Sequence, residues 1–266
     1  MIPPHACKRM RLRMDSARFK RRVVWLAAIV LMPLLYLLVL QAPILQDKSY
    51  HAFADVRTCI GIRNFGNVAS NLLFLLVGVS GWAWCYRHLR MGARHSWMVF
   101  FAGVALVFFG SSYYHTAPTH DSLMWDRLPM TLAFMGLFSA LLSEHLGAQF
   151  ERRLLLPALI FGVASVLWWR YTGDLRVYIW VQAAPLLAIP FVLVMFPGRH
   201  THRHYLLAGL GFYALAKVAE MYDREIFELT AFAMSGHSLK HMLAALAPLA
   251  LYLMLRRRQA VAASNT

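Results

Sequence analysis

His237 and His241 stand four apart in Gly-His-Ser-Leu-Lys-His (236–241). On a helix that spacing puts two imidazoles on one face, as when a single helix gives two nitrogens to one metal. A third, His115, ends Gly-Ser-Ser-Tyr-Tyr-His (110–115), with Ser111 one turn before it, about 6 Å along a helix axis. Asp126 opens Asp-Arg-Leu-Pro-Met (126–130). Three imidazoles from two helices, meeting at one depth, match a catalytic zinc with an open position, where a bound water reaches a pKa near about 7. In that reading His115, His237 and His241 are the metal ligands. Asp126 orients the water and shuttles its proton, and Ser111 hydrogen-bonds the water or the developing oxyanion.

Each of these groups also has a plainer role open to it. With 12 histidines in 266 residues, about half an i,i+4 pair arises by chance. His200 and His204 form another such pair inside Arg-His-Thr-His-Arg-His (199–204), which reads as a solvated basic loop. His115 suits a membrane interface, and Asp126 suits the N-cap of a helix beginning there. What favours the metal is that all five groups fall on one side of the membrane. Lys217 and Glu220, three apart, read as an ion pair, with a lipid headgroup contact as the sharper alternative. Asn64, Asn67, Ser70 and Asn71 suit hydrogen bonding between helices. His120 and His145 gain no role from their spacing.

The elements that must position these residues are membrane helices. The composition is 59% hydrophobic and 15% charged, where a soluble domain carries roughly 25% charge. Apolar blocks at 24–41, 67–87, 96–115, 127–145, 153–169, 176–196, 204–222 and 236–255 each approach the length that crosses a bilayer. The expected fold is all-α: a polytopic membrane protein with a seven-transmembrane-helix core and one N-terminal anchor helix. The expected organisation is a basic segment and anchor helix (1–45), an outer loop (46–66), the core (67–255) and a tail (256–266). Residues 8–41, basic and then apolar, resemble a signal peptide, but the long apolar run without a small-residue cleavage site predicts a retained helix.

The net charge of +15 raises the question of nucleic acid, and its distribution answers it. With the N-terminus inside, eighteen basic residues fall in inner segments, Arg87, Arg152, Arg203 and Arg256 among them, against seven in outer loops. That is the positive-inside pattern, so the charge orients the chain in its membrane. Both termini are then cytoplasmic and the polar cluster faces the outer side. Cys7, Cys59 and Cys85 have no paired spacing, which predicts neither disulfides nor a thiolate site.

Three segments carry a family resemblance. Asn67-Val68-Ala69-Ser70-Asn71, Gly110-Ser111-x-x-Tyr114-His115 followed by Asp126 and Pro129-Met130, and His237-x-x-x-His241 together resemble the alkaline ceramidase family. Its wider superfamily includes adiponectin-type receptors and lipid hydrolases. The resemblance implies zinc on His115, His237 and His241, supporting roles for Ser111 and Asp126, and ceramide or a relative as the lipid substrate. The products would be a sphingoid base and a fatty acid. The chain departs from the eukaryotic pattern at Asn64, where an acidic residue is expected, and this counts against a calcium requirement. The departure and the anchor helix point to a prokaryotic relative in a bacterial inner membrane. Hydrolysis of other lipids by an esterase or phospholipase, and a receptor-like protein without catalysis, are the alternative readings. Oligomeric state is left open.

Overall fold

The computed structural model describes residues 4–90, 92–196 and 200–260, with side chains from residue 16 onward. Arg199, the tail from Val261, and the side chains of Cys7, Lys8, Arg9, Arg11 and Arg13 lie outside the described residues. Helices dominate: α1 (Pro4–Val39), α2 (Phe65–Ser70), α3 (Leu72–His88), α4 (Arg94–Thr116), α5 (His120–Leu146), α6 (Gln149–Thr172), α7 (Arg176–Met195), α8 (His204–Met221), α9 (Asp223–Leu229) and α10 (Gly236–Arg257). Among the described residues, six helical stretches are long and apolar enough to cross a membrane: Ser16–Val39, Phe65–His88, α4, α6, α7 and α10. The remaining long helices, α5 and α8, fall short of that standard. Each carries charge, Asp126 and Arg127 on α5, and Lys217 and Glu220 on α8.

With lipid tails as apolar as leucine, helices in a bilayer associate through close packing at small residues rather than by escaping water. The α4–α5 seam follows this rule. Cβ atoms added at Gly103 and Gly110 of α4 would lie 2.5 Å from the Ala133 amide nitrogen and 2.1 Å from the Trp125 carbonyl oxygen. Across the seam, a Cβ at Gly136 would lie 2.7 Å from the Phe100 amide nitrogen. Glycine there lets two backbones touch, and that contact draws Ser111 toward α5. Large apolar side chains such as Leu76, Val79, Leu156, Ile160 and Trp168 point outward, the surface a lipid-facing helix presents.

The start of α5 differs from the expectation that Asp126 opens and caps the helix. Thr119 is the N-cap, in a capping box with Ser122, and Asp126 lies two turns inside, buried. Polar residues in the first turns (His120, Asp121, Ser122) hide the helix from a reading based on apolar blocks. α6 ends on Gly173 at φ +76°, whose amide donates to the Trp169 carbonyl at 2.7 Å. This is the left-handed stop that glycine adopts without strain. α1 is docked rather than free: Trp180 Nε1 donates to the Val30 carbonyl at 2.7 Å, and Arg176 Nη1 donates to the Gln41 carbonyl at 2.6 Å. The segment after α1 therefore runs along the α6–α7 turn, where Leu175 N donates to Ile44 O at 2.8 Å. α7 and α8 touch sparingly. Between them and α3, α4, α5 and α10 lies a cavity of about 520 Å³.

Candidate metal centre

His115, on the last turn of α4, meets His237 and His241, on the first two turns of α10. Ring centroids are 4.9 Å (115–237), 5.0 Å (115–241) and 4.9 Å (237–241) apart. One ring nitrogen from each lies within 4.8 Å of the others, and all three side chains are buried. Two imidazoles at i,i+4 plus one from a neighbouring helix form a cluster that can hold a metal ion. The donor set is the nitrogen-only set that zinc accepts.

A test of fit comes from the hydrogen bonds. Both ring nitrogens of His115 are buried with no hydrogen-bond partner. Buried polar atoms are rarely left so, and a metal ligand explains the exception. His241 Nδ1 faces the Asn67 carbonyl at 3.1 Å and Ser70 Oγ at 2.9 Å. A carbonyl oxygen only accepts, so Nδ1 carries the proton and Nε2 keeps its lone pair for a metal. His237 differs: its Nε2 lies 2.9 Å from Lys240 Nζ. Lysine only donates, so its ammonium stands at the lone pair that a metal on Nε2 would take.

The surroundings hold the three rings in place. Asp223 accepts from the His237 amide at 2.6 Å and from the Ala54 amide at 2.9 Å, satisfying a free N–H of the first turn of α10. Ser235 caps that helix. Asn67 Oδ1 accepts from Ser238 Oγ at 2.9 Å, tying α2 to α10. Asn64 Nδ2 donates to the His115 carbonyl at 2.7 Å. Phe53, from the outer loop, lies edge-on to His115 and His237 with centroids 4.7 and 4.6 Å away, which shields both rings from bulk water.

Ser111 and Asp126 reach the cavity wall together with His241. Beside them Glu220 accepts from Lys217 at 2.5 Å, Lys240 at 3.1 Å and the Tyr50 hydroxyl at 3.3 Å. The wall beyond is apolar, with Phe74, Val104, Phe134, Leu186 and Leu251 along it. Asp55, buried in the segment before α2, is clamped by Arg57 at 2.8 and 2.7 Å, and these hydrogen bonds hold its carboxyl below the usual range. His51 bridges the Tyr114 hydroxyl and His120 Nδ1, each at 2.8 Å. Burial, with His120 and Arg127 nearby, lowers its basicity.

All five residues singled out in the sequence therefore lie around one site. Lys217 and Glu220 form the expected ion pair. The pattern gave no sign of Lys240 as a second partner of Glu220, of Asp223 holding His237, or of the His51–His120 contact, since each joins segments distant in the chain. Ser70 and Asn67 read in the sequence only as polar helix residues; the fold shows that they hydrogen-bond His241. The family model described as Ceramidase matches residues 57–256. No curated protein and no solved structure matches the chain.

Proposed function

The chain belongs to the ceramidase family and is a membrane hydrolase, and from that premise we propose that it is a zinc-dependent intramembrane amidase. Its substrates would be ceramide-like lipids, cleaved to a sphingoid base and a fatty acid. One juxtaposition carries this reading: His241 of the three-histidine cluster stands with Ser111 and Asp126 on the wall of a largely apolar cavity of about 520 Å³. That combination suits a polar scissile bond with an acyl chain attached.

His115, His237 and His241 would hold the metal, with His241 presented through Nε2 by Asn67 and Ser70. Zinc, when bound, supplies Lewis acidity at the scissile carbonyl and an activated water near neutral pH. The Asp126 carboxylate takes a proton from the attacking water and returns it to the leaving amine nitrogen. Ser111, on the same cavity wall, would donate to that carboxylate while it is ionised. Once Asp126 has accepted a proton the charge-assisted bond weakens, and the Ser111 hydroxyl is free to turn toward the carbonyl oxygen as it gains charge. Lys240, drawn toward Glu220, must leave His237 Nε2 for a metal to use that nitrogen.

Calcium has no part in this reading, supported by Asn64 standing where an acidic ligand is expected and by the pairing of the Asp55 carboxylate with Arg57. The topology proposed is a seven-helix core behind an anchor helix, with both termini cytoplasmic and the site toward the outer side of a bacterial inner membrane. The distribution of basic residues supports that orientation. The test is to offer the detergent-purified protein a ceramide and a glycerolipid bearing the same acyl chain. Equimolar sphingoid base and fatty acid from the ceramide support the amidase. Fatty acid from the glycerolipid alone would make the chain an esterase.

A further inference from the structure

Among the described residues, Arg127 is the only buried arginine or lysine, at 6% exposure. Its guanidinium carbon lies 3.9 Å from the Trp169 ring centroid, 4.8 Å from that of Tyr178 and 6.0 Å from that of Tyr50. Nη2 donates to the Gln46 side-chain oxygen, while Nη1 is buried without any hydrogen-bond partner. The ion pairs that the described residues form do not include it. Arg127, Gln46, Tyr50 and Tyr178 all line the cavity wall that also holds Asp126 and His241.

A buried charge is costly unless an opposite charge or strong hydrogen bonds compensate it. Two other arginines have that compensation: Arg57 pairs with Asp55, and Arg176 with Asp174. For Arg127 three aromatic faces stand in for an acid, which offsets only part of the cost of burial, and its acceptor is a neutral amide. The other charges on the wall are Lys217 and Lys240, which share the carboxylate of Glu220, and Asp126. Three cations and two carboxylates line the cavity, a net positive charge of one, and the one planar, fork-shaped donor among them has no ion-pair partner. Guanidinium forks match oxyanions such as phosphate in both charge and geometry.

We propose that Arg127, in its cage of Trp169, Tyr178 and Tyr50, is a headgroup subsite that takes an anionic oxygen of the phosphate class from the bound lipid. The Gln46 amide is the group such an oxygen replaces. Gln46 reaches Arg127 from the segment that follows the docked α1, so the anchor helix takes part in forming the subsite. The preferred substrate is then an N-acyl lipid with an anionic headgroup rather than one with a bare hydroxyl. The reaction in that statement rests on the amidase reading, whereas the binding does not.

The experiment compares dodecyl phosphate, dodecanol and inorganic phosphate as ligands of the detergent-purified full chain by titration calorimetry. Wild type, Arg127→Gln and Gln46→Glu are measured side by side. Gln46→Glu retains the fold by giving Arg127 a partner within the chain, and that partner shuts out an external anion. A charge-assisted pair in a dry site is worth about tenfold or more in affinity. Dodecyl phosphate should therefore bind wild type at least about tenfold more tightly than dodecanol, and both variants should abolish the difference. Equal binding of the two ligands by wild type, or a preference surviving in Gln46→Glu, would overturn the subsite. Displacement of dodecyl phosphate by inorganic phosphate at similar concentration would make it a site for free anions and overturn the headgroup assignment. Hydrolysis is then followed on one ceramide with a free hydroxyl and on its phosphomonoester. If neither is cleaved while the binding preference holds, the amidase reading fails and the subsite stands. If the hydroxyl lipid is cleaved as fast as its phosphomonoester, the preference for an anionic headgroup in the substrate fails and the amidase stands.

Discussion

Replacing Gly110 with alanine tests the link between helix packing and the site. The new Cβ would lie 2.1 Å from the Trp125 carbonyl oxygen and 2.9 Å from its carbonyl carbon, where real Cβ contacts essentially never fall below 3.0 Å. The obstruction is the backbone of α5, which no rotamer change can move aside, so α4 and α5 must separate by about 1 Å near Ser111. Over-packing of this kind costs about 1–3 kcal/mol, and the rigid obstacle places Gly110→Ala toward the upper end. The displaced residues are those next to Ser111 and one turn from His115, facing Asp126. A shift of about 1 Å in reacting groups costs on the order of a hundredfold in rate. The assay is ceramide hydrolysis beside thermal unfolding in detergent, with Gly211→Ala as the control. Gly211 is also helical, but a Cβ there meets nothing within 4 Å. Gly110→Ala should lose both stability and about two decades of turnover, while Gly211→Ala loses neither. Equal activity in the two variants would refute the claim that the α4–α5 contact positions the site.

Further outcomes follow from the same geometry. Ser70→Ala removes one of two partners of His241 Nδ1 and leaves the Asn67 carbonyl. Zinc affinity, read by chelator competition, should fall by about tenfold, the low end for such supporting groups. Asp126→Asn leaves the Thr119 cap of α5 intact and lies outside the histidine cluster. It should keep fold and zinc while turnover drops by about a hundredfold or more; full activity would remove Asp126 from the chemistry. Asp55 has a carboxyl pKa held down by the Arg57 hydrogen bonds. Its contribution to stability is thus present above the unfolded value near about 3.9 and is lost as pH falls through the lower folded value. In unfolding scans from pH 7 downward, Asp55→Asn should start less stable and lose less between about pH 4 and pH 2 than wild type does.

The grouping of the candidate site residues is largely legible in the sequence because it is written in short-range spacing. Ser111 and His115, like His237 and His241, are one turn apart on their own helices, so adjacency in sequence becomes adjacency on a face. What stayed hidden depends on which helices touch. Arg127 looked like one outer-loop charge among seven, yet it lies inside the bundle among Trp169, Tyr178 and Tyr50, residues from 42 to 77 positions away in the chain. Gly103, Gly110 and Gly136 carry no signal of their own until the opposing backbone is known. The beginning of α5 was placed too late because its first turns are polar and apolar blocks register only membrane-like stretches. Thr119 with Ser122 three residues on was the available local clue, since a hydroxyl pair at that spacing can close a capping box.

The central claim is that the histidine cluster holds the metal on which hydrolysis depends, and zinc content with ceramide cleavage, in wild type and His115→Ala, tests it most directly. The His115 ring nitrogens make no hydrogen bond within the protein, so the substitution breaks none in the metal-free fold and zinc loss reports the ligand itself. One zinc per chain with fatty-acid release, both lost in a His115→Ala protein that still unfolds cooperatively, is the predicted result. A full equivalent of zinc retained by His115→Ala, or undiminished ceramide cleavage without it, would contradict the account.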